Sequence, residues 1–500
     1  MVARKNVPRD HGFLGHIRRL GKAMIYGRRG RARSLEFGSI GQDARRSIHL
    51  LATGIVLAVV LLAPFPLASV EWRWIALWGI LLAASTPFLD YSRISRTQMR
   101  VLAVVLAASA VLIGYMLLQT TGIGLLPEHR LFTETRAILN EPVQGYASVT
   151  PAQSRLISGG FALAVLAFTA SFVAGSNPRT ARNFLIAIML MGILNGCLGA
   201  YFFYSDPQQL LWITFDVPKG QPSGTFVSRN HAVTLFASST AAYFAIALQR
   251  VLAAVPRGAM PLKSRLLIMA LNNPPQIGLP LMLFIVGLAL TFATGSRGGL
   301  LALLAGLFTA YLLVLIRVAG LRLGTALAVA GSFLGIGFLS QVGMGAIGER
   351  FSEMRLGEDG RAEIYKVMFK MIADSPWTGF GIGSFEFALP QYRPSTISPR
   401  MIWDYAHSSP LQLIVELGIP AALLGFAILV GVVLVCIRGA LIRKRDSDLP
   451  LIGASIGMVG LTHALIDFSL QIPGFMLVYA SVLGAAAAQS FRHETHKSPL

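Results

Sequence analysis

Long apolar runs separated by short polar stretches dominate the chain. They fall at about 48–66, 72–89, 101–118, 156–174, 183–204, 232–249, 279–295, 300–316, 323–341, 409–437, 451–470 and 473–489. Each approaches the roughly 20 apolar residues that carry a helix across a hydrocarbon core. The pattern predicts an all-α polytopic membrane protein of about twelve transmembrane helices. Pro64, Pro420 and Pro473 interrupt these runs. A helix bundle tolerates them where neighbours satisfy the freed backbone groups. The sequence shows no internal repeat.

Three connecting segments are long: 119–155, 205–231 and 342–408. In the last, Ile364, Val367, Met368, Met371 and Ile372 recur at the spacing of one helix face. Glu358 and Asp359 precede this stripe, which suits a helix start, and Asp374-Ser375-Pro376 ends it. The polar side carries Arg361, Tyr365, Lys366 and Lys370. Such a helix is expected along the outer membrane surface, over the bundle. Gly379-Phe380-Gly381-Ile382-Gly383 follows. With no strand before it, it reads as a flexible turn re-entering toward the bundle rather than a dinucleotide loop.

Composition agrees with the pattern. The chain is 54% hydrophobic and 13% charged, against about 25% charged in a soluble domain. Both cysteines, Cys197 and Cys436, lie inside apolar runs, which excludes a disulfide scaffold. The nine histidines are scattered, so a metal site is not expected.

Charge adds orientation. The net charge is +20, but its distribution argues against nucleic acid. Residues 1–46 hold 12 basic and 3 acidic residues. Of the 43 Lys and Arg, 29 fall in this tail, in 90–100, 175–182, 250–278, 317–322 and 438–450, and after the last span. Positive loops mark the cytoplasmic side, which places both termini inside. The tail is too long for a signal-peptide n-region, so the first span is expected to be an uncleaved anchor. The resulting division is a basic cytoplasmic tail (1–46), N-terminal transmembrane helices (47–278), a core with a large outer loop (279–437), C-terminal helices (438–490) and a short cytoplasmic tail (491–500).

Candidate chemistry gathers at the outer ends of spans, where ionisable groups are costly and mark sites. Thr294-Gly295-Ser296-Arg297-Gly298-Gly299 forms a tight turn between two spans. Its guanidinium fork suits phosphate oxygens, although an interfacial anchor reaching for headgroups would look the same. Arg229 and His231 open another span on the same side; the plainer alternative is a polar loop ending in a cap. Trp403-Asp404-Tyr405-Ala406-His407 closes the large loop, with Glu416 beyond it. His407 suits a proton acceptor at the interface, with Asp404 near enough in sequence to orient it. A capping or headgroup contact is the alternative. His463 and Asp467, four residues apart, share a helix face if the span continues through them; they suit a site or a structural interhelical bond.

Taken together, these segments resemble the O-antigen ligase/polymerase superfamily of bacterial membrane glycosyltransferases. The resemblance rests on Ser296-Arg297-Gly298-Gly299, on Asp374-x-Pro376-x-x-Gly379-x-Gly381-x-Gly383-x-Phe385, and on the loop-closing His407 with Ser408 and Gly418. It covers roughly 280–430. Ser408 stands where many relatives have Asn, and Ala421 where the ligase pattern has Gly, Thr or Tyr. The resemblance implies a multi-span fold like that of other lipid-carrier (GT-C-like) glycosyltransferases. It also implies transfer of oligosaccharide from an undecaprenyl-diphosphate carrier to a glycan or lipid A-core acceptor on the periplasmic side of the inner membrane. The process would be O-antigen, capsule or exopolysaccharide assembly, as polymerase or ligase. On this reading Arg297 and His407 are catalytic. Arg229, His231, Arg361, Asp404, Glu416, His463 and Asp467 bind diphosphate or glycan. No cofactor is needed; membrane lipids and a glycan-assembly complex are further partners. A polysaccharide or lipid-linked-sugar transporter is the alternative. It would show an internal repeat or charges at mid-membrane, and the sequence shows neither.

Overall fold

A computed structural model describes residues 29–214, 220–254, 264, 274–319, 330–331, 361–395 and 403–491, with backbone alone at 29–44, 274, 319 and 361–362. The ninth expected span (323–341) lies outside these residues apart from 330–331, as do the first part of the basic tail and residues 342–360 of the large loop. Contacts divide the chain into two units, residues 1–51 and 52–500; the core and the candidate site both belong to the second.

The protein is mostly helical. Successive helices are α1 (Arg29–Leu62), α2 (Trp72–Ser85), α3 (Arg96–Leu118), α4 (Arg130–Leu139), α5 (Pro151–Ala174), α6 (Pro178–Ser205), α7 (Arg229–Ala254), α8 (Pro274–Ala293), α9 (Arg297–Ala319), α10 (Arg361–Asp374), α11 (Ser409–Ile442), α12 (Asp448–Ala464) and α13 (Pro473–Ala488). A two-residue hairpin, β1 (Gln209–Leu210) and β2 (Ile213–Thr214), sits between α6 and α7. Among the described residues, eight helices are long and apolar enough to cross a membrane: α1 from Arg45, α3, α5, α6, α7, α8 from Pro275, α9 and α11. Three more expected spans coincide with α2, α12 and α13, which are shorter at 14, 17 and 16 residues.

Helix starts follow local chemistry. Ser95 and Gln98 form a capping box at α3, satisfying two of the backbone N–H groups that a first turn leaves without partners. The Asn177 side chain accepts the Arg179 and Thr180 N–H groups at α6. Pro151 and Pro473 occupy first-turn positions where no N–H is needed. The core sits where α7 and α12 meet the rest. Of the α7 span, 83% is buried, so it is enclosed by α6, α8, α9 and α12. α12 packs against α7, α9, α11 and α13.

Two expectations change. The run at 451–470 reads as one span in the sequence, but α12 ends at Ala464. Asp467 N–H returns to the His463 carbonyl at 2.9 Å, and Pro473 starts a new helix. The amphipathic helix α10 buries Ile364, Val367, Met368 and Met371 against Phe380, Phe385, Trp403 and Ala406. Its apolar stripe therefore faces protein rather than a lipid surface.

The glycine turn is fixed by backbone bonds. Phe380 N–H donates to the Val415 carbonyl (3.0 Å), Gly381 N–H to that of Glu416 (2.8 Å), and Ile419 N–H to that of Pro376 (2.8 Å). The partner is a break in α11 at Gly418, whose φ of +75° exposes those carbonyls. At Gly381 (φ +101°) a Cβ would come within 2.1 Å of Ser148 Oγ. The segment does re-enter toward the bundle, but as a fixed plug.

Candidate functional site

The site is a corner built from four stretches of chain. The turn before α9 supplies Arg297 as the first residue of that helix. Ser296 Oγ accepts Gly299 N–H at 3.3 Å and so caps it. The two glycines are required by packing. A Cβ on Gly298 would stand 2.8 Å from Ile466 and 3.7 Å from His463 Nε2, and one on Gly299 would stand 2.2 Å from Val233. The Arg297 turn is therefore pressed between α7 and the corner after α12, with Arg297 itself exposed.

The turn before α7 supplies Arg229, again the first helical residue. Ser228 Oγ accepts Asn230 N–H at 3.3 Å. This turn is held from below by buried Asn195 of α6. Its amide donates to Thr225 Oγ1 (2.7 Å) and accepts Thr225 N–H (3.2 Å), and the Thr225 hydroxyl donates to the Pro64 carbonyl (2.6 Å). A Cβ on Gly295 would lie 3.7 Å from an Arg229 guanidinium nitrogen. Two helix N-termini, each opening on an arginine, therefore meet in one place. Unpaired first-turn N–H groups and the helix dipole make such ends attractive to anions, and the guanidinium forks add charge-assisted donors.

Beside them lies an imidazole–carboxylate cluster. His407 Nδ1 is 3.3 Å from Asp467 Oδ1, and His231 Nε2 is 3.7 Å from the same oxygen. Asp467 is 3% exposed. Burial raises its pKa, but hydrogen bonds from His231 and His407 and the nearby imidazoles outweigh this and hold the carboxyl below the ordinary carboxylate range. The Phe468 ring is a common wall, centred 4.1 Å from Tyr405 (stacked), 4.4 Å from His231 and 5.1 Å from His407. His463 Nδ1 pairs with Ser469 Oγ at 3.0 Å, and Thr234 of α7 donates to the same hydroxyl at 2.9 Å. His407 takes the left-handed conformation (φ +51°). Tyr365 of α10 donates to its carbonyl at 3.0 Å, so the α10 cover also positions the histidine.

This arrangement fixes a tautomer. When Asp467 accepts Nδ1–H, the lone pair of His407 lies on Nε2, the nitrogen that can accept a proton. The His407 side chain is 29% exposed, enough to meet a substrate hydroxyl.

The placement of the expected residues is uneven. Arg229, His231, His407, His463, Asp467 and the Arg297 turn converge. Asp404 does not orient His407: it is exposed and lies near Glu386, whose carboxyl is pushed up by burial and by the Asp404 charge. His463 and Asp467 do not share a helix face, because the helix has ended between them. Glu416 is buried, accepting Phe385 N–H (3.2 Å) and the Gln412 amide (3.1 Å). It ties the plug to α11 and is not part of the corner. Arg361 begins α10, but its side chain lies outside the described residues. Sequence reasoning missed Asp467 as the partner of His407, Phe468 as the shared wall, and Asn195 and Tyr365 as supports. Their contacts join residues from 30 to more than 200 positions apart, and no local pattern marks them.

The fold and corner define a helical membrane protein with a cationic, imidazole-bearing site beside helix ends. A family model described as O-antigen ligase matches residues 282–426. Over this segment the chain resembles that family, and its described residues hold eight helices long and apolar enough to cross a membrane. A search of curated proteins finds no match. The matched segment contains Arg297, the plug and His407, whereas Arg229, His231, His463 and Asp467 come from segments flanking it.

Proposed function

We propose that the protein is an inner-membrane glycosyltransferase that transfers or polymerises oligosaccharide from an undecaprenyl-diphosphate carrier on the periplasmic side, in O-antigen, capsule or exopolysaccharide assembly. The observation that carries this reading is the convergence of the arginine-opened ends of α7 and α9 with the His407–Asp467 pair. The two ends suit a diphosphate, and the pair suits a hydroxyl nucleophile. The family domain supports a lipid-linked glycan donor and a glycan acceptor in general terms.

In the reaction, an acceptor hydroxyl oxygen attacks the anomeric carbon of the donor sugar. The bond from that carbon to the diphosphate oxygen breaks, and the electron pair leaves with the diphosphate. Arg297 and Arg229, with the helix ends, stabilise the developing charge from fixed positions. His407 Nε2 takes the hydroxyl proton, a contribution of about 10²–10⁴-fold. Asp467 holds the ring and balances the imidazolium. Both termini are cytoplasmic on this reading, following the distribution of basic residues.

Purified protein in lipid nanodiscs, supplied with carrier-linked glycan and acceptor, tests this. Transfer is expected from the wild type and absent from His407→Ala, with donor binding retained. Undiminished turnover by a folded His407→Ala would refute the base. Arg297→Lys keeps charge but loses the fork, so transfer should fall sharply; near-normal transfer would refute the clamp.

A further inference from the structure

A cavity of about 860 Å³ between α2, α3, α5, α11, α12 and α13 adjoins the corner through Tyr405, which stacks on Phe468. A pocket of about 150 Å³, lined by other residues, lies where α4 begins and α10 ends. Space of that order holds one six-membered ring or about five waters. Glu128, His129 and Arg130 form one side of its wall, and Asp374, Thr378 and Tyr392 the other.

The polar groups of this wall are already organised. Arg130 donates to Asp374 Oδ2 (3.2 Å) and to the Tyr392 hydroxyl (3.1 Å), and that hydroxyl donates to the same carboxylate oxygen (2.7 Å). Glu128 is paired with Arg136. The hydroxyls of Ser375 and Thr378 lie 3.2 Å apart. His129 caps α4, its Nδ1 accepting Leu131 N–H at 3.2 Å. Burial, with the Arg130 charge, holds its pKa below the ordinary imidazole range, so the ring is neutral at pH 7 and carries its proton on Nε2. Phe380 of the plug packs against this ring, centred 4.8 Å away, and against Tyr392, edge-on at 5.8 Å.

Such a mixed set suits a sugar. Each sugar hydroxyl both donates and accepts. Here carboxylate acceptors, guanidinium and imidazole donors, and hydroxyls that do both surround one ring-sized space. The rings of Pro127, His129 and Tyr392 add flat apolar surface. An inorganic anion is served less well. The guanidinium it would use is already held by Asp374, and a second carboxylate, Glu128, lines the same space. Position matters too. Tyr365, which holds the His407 carbonyl, and Asp374 lie nine residues apart on α10, about 14 Å of helix. That spacing suits a sugar further along the chain than the one that reacts.

We propose that this pocket is a glycan subsite, holding one saccharide unit of a substrate chain at a distance from the bond being made. This rests on the transferase reading above. It adds a second hold on the substrate, through sugar hydroxyls rather than through the lipid-borne phosphates. The unit belongs to the donor's glycan or to the acceptor's; its chemistry is the same, and kinetics separate the two.

The probe is the soluble oligosaccharide that mild acid releases from the source bacterium's surface glycan, titrated by saturation-transfer NMR onto full-length protein in nanodiscs. The wild type should bind it saturably, and inorganic phosphate should not displace it. Asp374→Asn should weaken binding about tenfold, the loss of one charge-assisted hydrogen bond, and Thr378→Val about fivefold. Asp374→Asn also loosens Arg130; Thr378→Val keeps the side-chain shape and touches no ion pair, so it guards against misfolding. With carrier-linked donor and acceptor, both variants should raise the apparent KM of one substrate and leave kcat near wild type. The substrate whose KM rises is the one whose chain fills the pocket. A merely structural role would lower the thermal midpoint or kcat and leave oligosaccharide binding as it was. The proposal is overturned by no saturable binding to the wild type, by equal binding to the folded variants, by displacement with phosphate, or by transfer with neither KM raised. If the oligosaccharide binds as expected but the wild type transfers nothing, the transferase reading fails and the saccharide site stands.

Discussion

His407 and Asp467 show how one buried carboxylate can set the behaviour of a whole corner. Asp467 has two imidazole partners and almost no solvent, so its charge matters more than its shape. Asp467→Asn keeps the shape and removes the charge. The His407 ring then loses its counter-ion and its preferred tautomer, and transfer should fall by about 10²-fold or more, measured as the turnover rate at saturating donor. Stability carries a pH signature with a defined sign. A carboxyl whose folded pKa is depressed contributes stability that is present above its unfolded pKa of about 3.9 and is lost as pH falls through the lower folded value. The stability advantage of the wild type over Asp467→Asn should therefore be as large at about pH 5 as at about pH 7. Thermal unfolding of both proteins at the two pH values checks this; an advantage already gone at the lower pH would mean that Asp467 is not held low. Arg297 and Arg229 act as fixed cations, so weaker donor binding at high salt is a consequence of the same geometry.

Among the elements, the plug and the broken helix form one unit. The sequence made α10 legible, since its stripe of Ile364, Val367, Met368 and Met371 falls at helical spacing and is buried. It also made the glycine turn visible as a turn. It did not show that the turn is rigid, because the carbonyls that hold it belong to Val415 and Glu416, released by Gly418 in a distant helix. The expectation for Asp404 fails for the same reason. Proximity along the chain favours it as the partner of His407, but this loop residue lines the neighbouring cavity, while a carboxylate 60 residues on arrives through packing. Likewise, apolar content carried the expected span through His463 and Asp467, where those polar side chains and Pro473 end the helix. At Gly381 an alanine would need a left-handed φ and would also press on Ser148. Gly381→Ala should destabilise by about 2 kcal/mol or more and lower transfer by shifting the His407 segment. Gly431 of α11 provides the contrast: a Cβ there meets nothing within 4 Å, so Gly431→Ala should be neutral or slightly stabilising. Thermal midpoints of the two variants, measured side by side, decide whether the plug is rigid.

The whole molecule separates a chemical end from a tethered one. Opposite the corner, Arg443 at the close of α11 is 4% exposed, donates to both the Gln489 side-chain oxygen (2.7 Å) and its backbone carbonyl, and lies 3.7 Å from Asp446. The Gln489 amide donates to the carbonyls of Gly175 (2.7 Å) and Ser176 (3.0 Å) beyond α5. The Gln98 amide reaches the Ala488 carbonyl at 2.6 Å. The far ends of α3, α5, α11 and α13, which also line the cavity, are thus laced by a few buried polar bonds. Arg443→Met fills similar volume but leaves the two Gln489 acceptors without their donor, at a cost of about 1–3 kcal/mol for each buried group left unpaired. Its effect should be on stability, not on the chemistry. Thermal unfolding should come earlier. Turnover at saturating substrates and moderate temperature should stay near wild type, because none of the contacts of Arg443 reaches a corner residue. A fall in saturated turnover without any loss of stability would mean instead that the two ends are coupled.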